Sequence, residues 1–176
     1  LKETNNFDQI RNRILDKEIL EMQHRGISLQ KKDQENFNNI SEKLGKLSTD
    51  FSNNVLDATN KWFLILNKKS EVDGLPERVL ELMAISAHNH LKKEEEVDIK
   101  NGPWKLSLDI PTYTSFLTYA TDRNLREKVY KAFVGRASQG EKNNSQIIEE
   151  ILSLRTKQAN LLGYKSWAEL SLSTKM

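Results

Sequence analysis

The chain has 176 residues and a mass of 20.4 kDa, with 37% hydrophobic and 30% charged residues and a formal charge of +2 from 27 basic and 25 acidic side chains. That length suits one domain, or a large piece of one, with enough chain to bury a core. Lys and Glu are interspersed with no basic stripe, which argues against nucleic-acid binding, and no apolar run approaches the ~20 residues that span a bilayer. The absence of cysteine removes disulfides, thiolate nucleophiles and cysteine-based zinc sites. No signal-peptide pattern opens the chain, so the expected location is the cytoplasm or an organellar lumen, not secretion. Leu1 is not an ordinary initiation residue, and the expectation is a chain cut from something longer.

Few glycines and prolines and a composition rich in Lys, Glu, Gln and Asn favour helices. Phe7, Ile10, Ile14, Leu15, Ile19 and Met22 fall at helical spacing, and Gly26 stands where a residue just past a helix end belongs. A second and longest helix starts between Leu29 and Asp33, with the stripe Phe37, Ile40, Leu44, Leu47, Phe51 and Val55 in steps of three or four. The short connection at Gly26–Ser28 predicts an antiparallel hairpin of these two. Trp62–Leu66 reads as a helix end passing into a strand. Pro76 suits the first position of a new helix that carries Val79, Leu80, Leu82, Met83 and Ile85 and fades near His90. Lys92 to Glu96 reads as an exposed loop or frayed end.

Trp104, Leu106 and Leu108 alternate with Lys105, Ser107 and Asp109, the period of a half-buried strand. A lone strand leaves its backbone groups unpaired, so it is predicted to pair with Phe63–Asn67. Pro111 ends it and begins a helix through Tyr119. A further helix presents Leu125, Val129, Ala132 and Phe133 and runs to the Ser138–Gly140 break. Asn143 with Gln146 has capping-box spacing ahead of a helix ending at Gly163, and Ser166 with Glu169 repeats it before a last short helix. The fold class is therefore mainly α: antiparallel helical hairpins and a bundle, with one short two-stranded β ladder, about 63–67 with 104–109. No fixed-period repeat emerges, although helix pairs of this length keep a helical-repeat scaffold as an alternative.

The chemistry is sparse. His88 and His90 stand two apart, which on a helix points them about 200° apart and gives no two-ligand face. They read as exposed helix-end histidines. His24 is the third. There is no His-Glu-x-x-His, no Gly-rich phosphate loop and no Gly-x-Ser-x-Gly. Glu94–Glu96 are adjacent carboxylates without converging geometry and read as a solvated loop. Arg123, Arg126, Arg136 and Arg155 suit fixed multidentate pairing, but helical arginines are usually structural. Tyr113, Tyr119 and Tyr130 are expected at the core or its rim with satisfied hydroxyls. No catalytic, cofactor-binding or metal-ligating residue is assigned.

Several ordered blocks nonetheless resemble the thimet-oligopeptidase and oligopeptidase A family of zinc metallopeptidases. They are Leu47 to Thr59, Gly74-Leu75-Pro76, Trp104 through Pro111 with Tyr113, Arg123-Asn124-Leu125-Arg126-Glu127 with Tyr130, Arg136-Ala137-Ser138, Ile147 to Arg155, Ala159 to Tyr164, and Lys175-Met176. The resemblance implies two helical halves flanking a deep channel, with zinc held by His-Glu-x-x-His and a further Glu. Residues 1–176 are similar to the portion ahead of the catalytic half, so the zinc domain is expected C-terminal to residue 176. None of the three histidines here is followed by Glu, so no ligand or base carries over, and the chain alone is expected to be inactive and to hold no zinc. Short peptides are the implied substrates of the parent enzyme, and the missing catalytic domain the implied partner. An exposed interdomain face would also allow self-association. The alternative is a stand-alone helical protein-binding or scaffold module.

Overall fold

The computed structural model describes residues 7–92 and 97–175. Among these, seven α-helices and one two-stranded antiparallel sheet make the fold mainly α. The residues up to Phe51 and those from Ser145 onward form one compact unit, and Ser52–Asn144 a second.

In the first unit, α1 (Gln9–His24) is capped by Asp8, whose carboxylate accepts the Arg11 N–H. At its other end the N–H groups of Gly26 and Ile27 donate to the carbonyls of Gln23 and Met22 at 2.9 and 3.5 Å, the pair of bonds that closes a helix on a left-handed residue. Gly26 supplies that conformation at φ 81°. α2 (Lys31–Lys61) is the longest helix, and Phe37, Ile40 and Leu47 are its buried residues. The buried stripe of α2 packs in this unit against the antiparallel α6 (Ser145–Leu161). Ile40 and Leu47 form a core with Leu154, and Ile147, Ile151 and Leu161 pack against it. Gln158 donates to Ser41 at 2.8 Å, and Lys43 pairs with Glu150 at the surface.

α1 buries no residue, and Ile10 is 73% exposed. Its apolar positions have helical spacing, but Arg11, Arg13, Asp16 and Lys17 crowd between them, whereas α6 offers a continuous aliphatic row. α7 (Trp167–Leu172) is capped by Ser166, whose hydroxyl accepts the Glu169 N–H at 3.2 Å. The Glu169 carboxylate returns to the Lys165 N–H, one residue before the cap.

In the second unit, β1 (Phe63–Leu66) pairs antiparallel with β2 (Trp104–Ser107), in the register Phe63↔Ser107 to Leu66↔Trp104. This is the expected ladder, shortened at its ends. The Asn67 N–H goes to the Glu71 carboxylate at 3.0 Å, and Asp109 is drawn into capping the next helix. Trp104 and Leu106 are buried as the alternation requires, and Leu108 continues the same face. α3 (Glu77–Leu91), α4 (Ile110–Tyr119) and α5 (Arg123–Val134) close over this face with Met83, Ala84, Phe116 and Val129. The Trp104 indole donates to the Ile99 carbonyl at 3.0 Å, so its polar atom is satisfied as it is buried.

Pro76 occupies the position before the first helical residue of α3, one earlier than expected. Pro111 is the second residue of α4, and Asp109 caps it by accepting the Thr112 N–H at 3.0 Å. Burial pushes the Asp109 carboxyl up, but hydrogen bonds from the Ser107 hydroxyl and Thr112 outweigh this and hold it below the ordinary aspartate value.

α5 stops at Val134, well short of Ser138, because Gly135 closes it and Ala137 turns left-handed at φ 51°. α6 begins at Ser145, which puts the preceding position on Asn144 instead of Asn143. Asn144 is buried and accepts a 2.8 Å hydrogen bond from the Asn54 side chain. Lys92 follows α3 in a left-handed conformation. The rest of the Lys92–Glu96 segment lies outside the described residues.

The α4–α5 turn is tied down at Asp73, which accepts from the Thr121 N–H at 3.0 Å and from its hydroxyl at 2.8 Å. Gly74 makes this approach feasible. It sits at φ 85°, and a Cβ there would lie 2.3 Å from the Tyr119 carbonyl oxygen. Left-handed strain and a backbone collision add, so Gly74→Ala is expected to cost at least about 2 kcal/mol, read as a lowered midpoint in urea unfolding with an unchanged m-value.

Candidate functional site

Within the Ser52–Asn144 unit, the last turns of α2 face the segment after α5 across an open cleft of about 1010 Å³. Helical geometry on one side places Asp57, Ala58 and Lys61 on the cleft, with Trp62 following at the helix end. On the other side the chain leaves α5 at Gly135, turns at Ala137 and reaches Lys142. That turn is held by the Asn144 N–H, which donates to the Ala137 carbonyl at 2.8 Å. A non-glycine residue in the left-handed region is strained, and such strain persists only where the surroundings impose it.

Arg136 is the most constrained group in the cleft. Its Nε–H donates to the Phe133 carbonyl at 2.8 Å and Nη1 to the Thr59 hydroxyl at 3.0 Å. The guanidinium lies 3.5 Å from the centroid of the Phe133 ring, and that ring is stacked on Tyr113 at 3.8 Å. The remaining cations differ in how they are neutralised. Lys142 pairs with Asp57 at 2.8 Å, and Lys131 with Glu127 at 2.6 Å. Arg136 and Lys61 have no carboxylate partner among the described residues. The hydrogen bond and charge of Asp57 raise the Lys142 ammonium above the ordinary lysine value, and Lys131 lowers the Glu127 carboxyl in the same way.

Of the arginines, tyrosines and histidines singled out in the sequence, Arg136 lines the cleft, and Tyr113 stacks on the Phe133 ring against which the guanidinium rests. Arg126 donates to the Ala120 carbonyl at 2.9 Å and closes the end of α4, while Arg155 lies 5.1 Å over the Trp167 ring. Arg123 is exposed. Tyr119 and Tyr130 are about half exposed, not core or rim, because each falls on the outer side of its helix. His24 is half-buried and bonds the Tyr164 hydroxyl at 2.8 Å. His90 packs edge-on against Phe63. Glu94–Glu96 lie outside the described residues.

His24 belongs to the first unit, and His88 and His90 to the second. Among the described residues no group of three metal-ligating side chains converges. The donor set among those described residues does not fit a zinc centre. Nor is any helix among those residues long and apolar enough to cross a membrane. Asp57, Lys61, Trp62 and Lys142 are not assigned to a site from the sequence, because the two sides of the cleft are about 80 residues apart and their residues form no motif of known chemistry. The Gly135-Arg136-Ala137 break at the end of an amphipathic helix was the available signal.

The family model for peptidase family M3 matches residues 116–176. Over 98% of its length the chain is 42% identical to the probable cytosolic oligopeptidase A of Arabidopsis thaliana, covering 24% of that protein. It is 42% identical over 97% of its length to the organellar oligopeptidase A, chloroplastic/mitochondrial, of the same plant, covering 21%. It is 40% identical over 86% of its length to the oligopeptidase A of Haemophilus influenzae, covering 22%. The chain thus spans about a quarter of the length of these relatives.

The Asp57–Lys142 pair sets a pH dependence of definite sign. Because the folded-state pKa of Lys142 is raised, the pair's contribution is complete below the ordinary lysine value of 10.5 and is lost as pH rises through the raised value. Asp57→Asn is expected to bring the Lys142 titration, followed by NMR of its side chain, back down towards 10.5.

Proposed function

Because this chain belongs to the thimet-oligopeptidase and oligopeptidase A family, we propose that residues 1–176 are the non-catalytic helical region of a larger two-lobed enzyme. That parent is a zinc-dependent metalloendopeptidase hydrolysing short peptides. Its zinc domain follows residue 176, and this region forms part of the substrate-channel wall. The observation that carries the reading is the near-complete match of this chain to about a quarter of each relative. No step of hydrolysis is assigned to the residues of this chain.

A wall contributes by selection. A narrow entrance lined by packed helices admits short flexible peptides and rejects folded proteins, because unfolding a domain to thread it costs roughly 5–15 kcal/mol. The cytoplasm or an organellar lumen is the proposed location, in keeping with the cytosolic and chloroplastic/mitochondrial names of the two plant relatives. The missing catalytic domain would cover apolar side chains now exposed, including Ile10, Ile14 and Met22 on α1.

The coding sequence downstream of Met176 is expected to contain His-Glu-x-x-His, and a stop soon after it would sink the proposal in favour of a free-standing helical module. The purified 176-residue chain is expected to cleave no quenched-fluorescent peptide and to retain no stoichiometric zinc by elemental analysis. Chelator-sensitive hydrolysis by that chain would show the assignment to be wrong. Light scattering is expected to show self-association that grows with concentration, and a strict monomer would count against an uncovered interdomain face.

A further inference from the structure

The cleft has a charge arrangement that suits a particular ligand chemistry. Arg136 is restrained before any ligand arrives. Two of its N–H groups are committed to the Phe133 carbonyl and the Thr59 hydroxyl, and its face is on the Phe133 ring. A guanidinium has five N–H donors, so several remain, and both bonded oxygens are neutral and leave its charge uncompensated. Lys61, on the facing helix end, is exposed and has no ion-pair partner among the described residues. Trp62 adds a half-buried aromatic wall beside these two cations. Ala137 holds its left-handed turn in the same loop, and strain retained at a cleft points to a geometry kept for binding.

The volume, about 1010 Å³, is at the upper end of the range for ligand sites. It admits several residues of an extended chain, far more than a lone inorganic anion would fill. We propose that this cleft binds the carboxylate of a short peptide between Lys61 and Arg136, with a neighbouring peptide side chain against Trp62. The carboxylate is a chain terminus or an Asp or Glu side chain. The choice of a peptide as ligand rests on the proposed function above.

The test is calorimetric titration of the 176-residue chain with three pentapeptides that share an apolar residue beside the variable group. One ends in a free carboxylate, the second is its C-terminal amide, and the third is the amide with Gln→Glu next to the end. At least one carboxylate peptide is expected to bind about tenfold or more tightly than the neutral amide, about 1.4 kcal/mol by the tenfold rule. Whichever acid wins identifies the source of the carboxylate. Lys61→Gln, at an exposed position, is expected to remove most of that preference while leaving the neutral peptide's affinity unchanged. Arg136→Lys, checked by circular dichroism for retained fold, should do the same by losing the fork geometry.

Equal binding of all three peptides would overturn the proposal, as would no binding, or displacement by inorganic phosphate at matched ionic strength. The two readings fail separately. Binding is measured on a chain assigned no catalytic part, so a null result leaves the peptidase assignment standing. A downstream frame without the zinc motif would remove that assignment and leave the binding measurement intact.

Discussion

Two strands of four residues do not hold together through their own hydrogen bonds; the pairing of Phe63–Leu66 with Trp104–Ser107 persists because of what it buries. Leu66 opposite Trp104 and Leu64 opposite Leu106 give one face of the ladder to the core, and Leu108 extends it. Met83, Phe116 and Val129 arrive from three different helices to cover that face. Each fully buried side chain of this size contributes about 1.5–3 kcal/mol, so the pairing is stabilised from outside itself. The helices in turn have a fixed surface to dock on. The outer face is left to Lys105, which lies 4.9 Å over the Phe63 ring beside His90.

The cleft depends on the same frame. Tyr113 comes from α4 and Phe133 from α5, and their stacked rings form the platform on which Arg136 rests. Thr59, near the end of α2, then receives the guanidinium. An arginine held by neutral oxygens and an aromatic ring keeps its full charge while losing most of its rotamer freedom, which separates it from the paired Lys131 and Lys142 around it.

Much of the fold was legible from side-chain spacing. The α2 stripe, the alternation from Trp104 to Leu108 and the Pro111 entry to α4 each combine pattern with backbone chemistry, and the ladder followed because a solitary strand has no partner for its N–H groups. Less legible were features decided by competition among neighbours. The spacing of Ile10, Ile14 and Met22 says that one side of α1 is apolar but not that α6 supplies the denser row against α2. The early stop of α5 turns on Ala137, a residue with no preference for the left-handed conformation, imposed by a hydrogen bond to Asn144. Periodicity also could not tell that Tyr119 and Tyr130 point outward. The cleft was the least legible part, since Lys61, Arg136 and Lys142 converge only after a long loop has closed.

That closure has a consequence for cooperativity. The hydrogen bond between Thr59 and Arg136 spans 77 residues, and the one between Asp73 and Thr121 spans 48. Loop-closure entropy rises as the logarithm of length, so the longer crossing costs only about 0.4 kcal/mol more than the shorter. Nesting matters more, because the Asp73–Thr121 link and the strand pairing both lie inside the Thr59–Arg136 loop. Once the inner crossings have formed, little free chain remains to be ordered by the outer one. The cleft wall therefore behaves as the clasp of the whole Ser52–Asn144 unit: it can release locally while the inner core stays shut, but it cannot stay fastened once that core has opened.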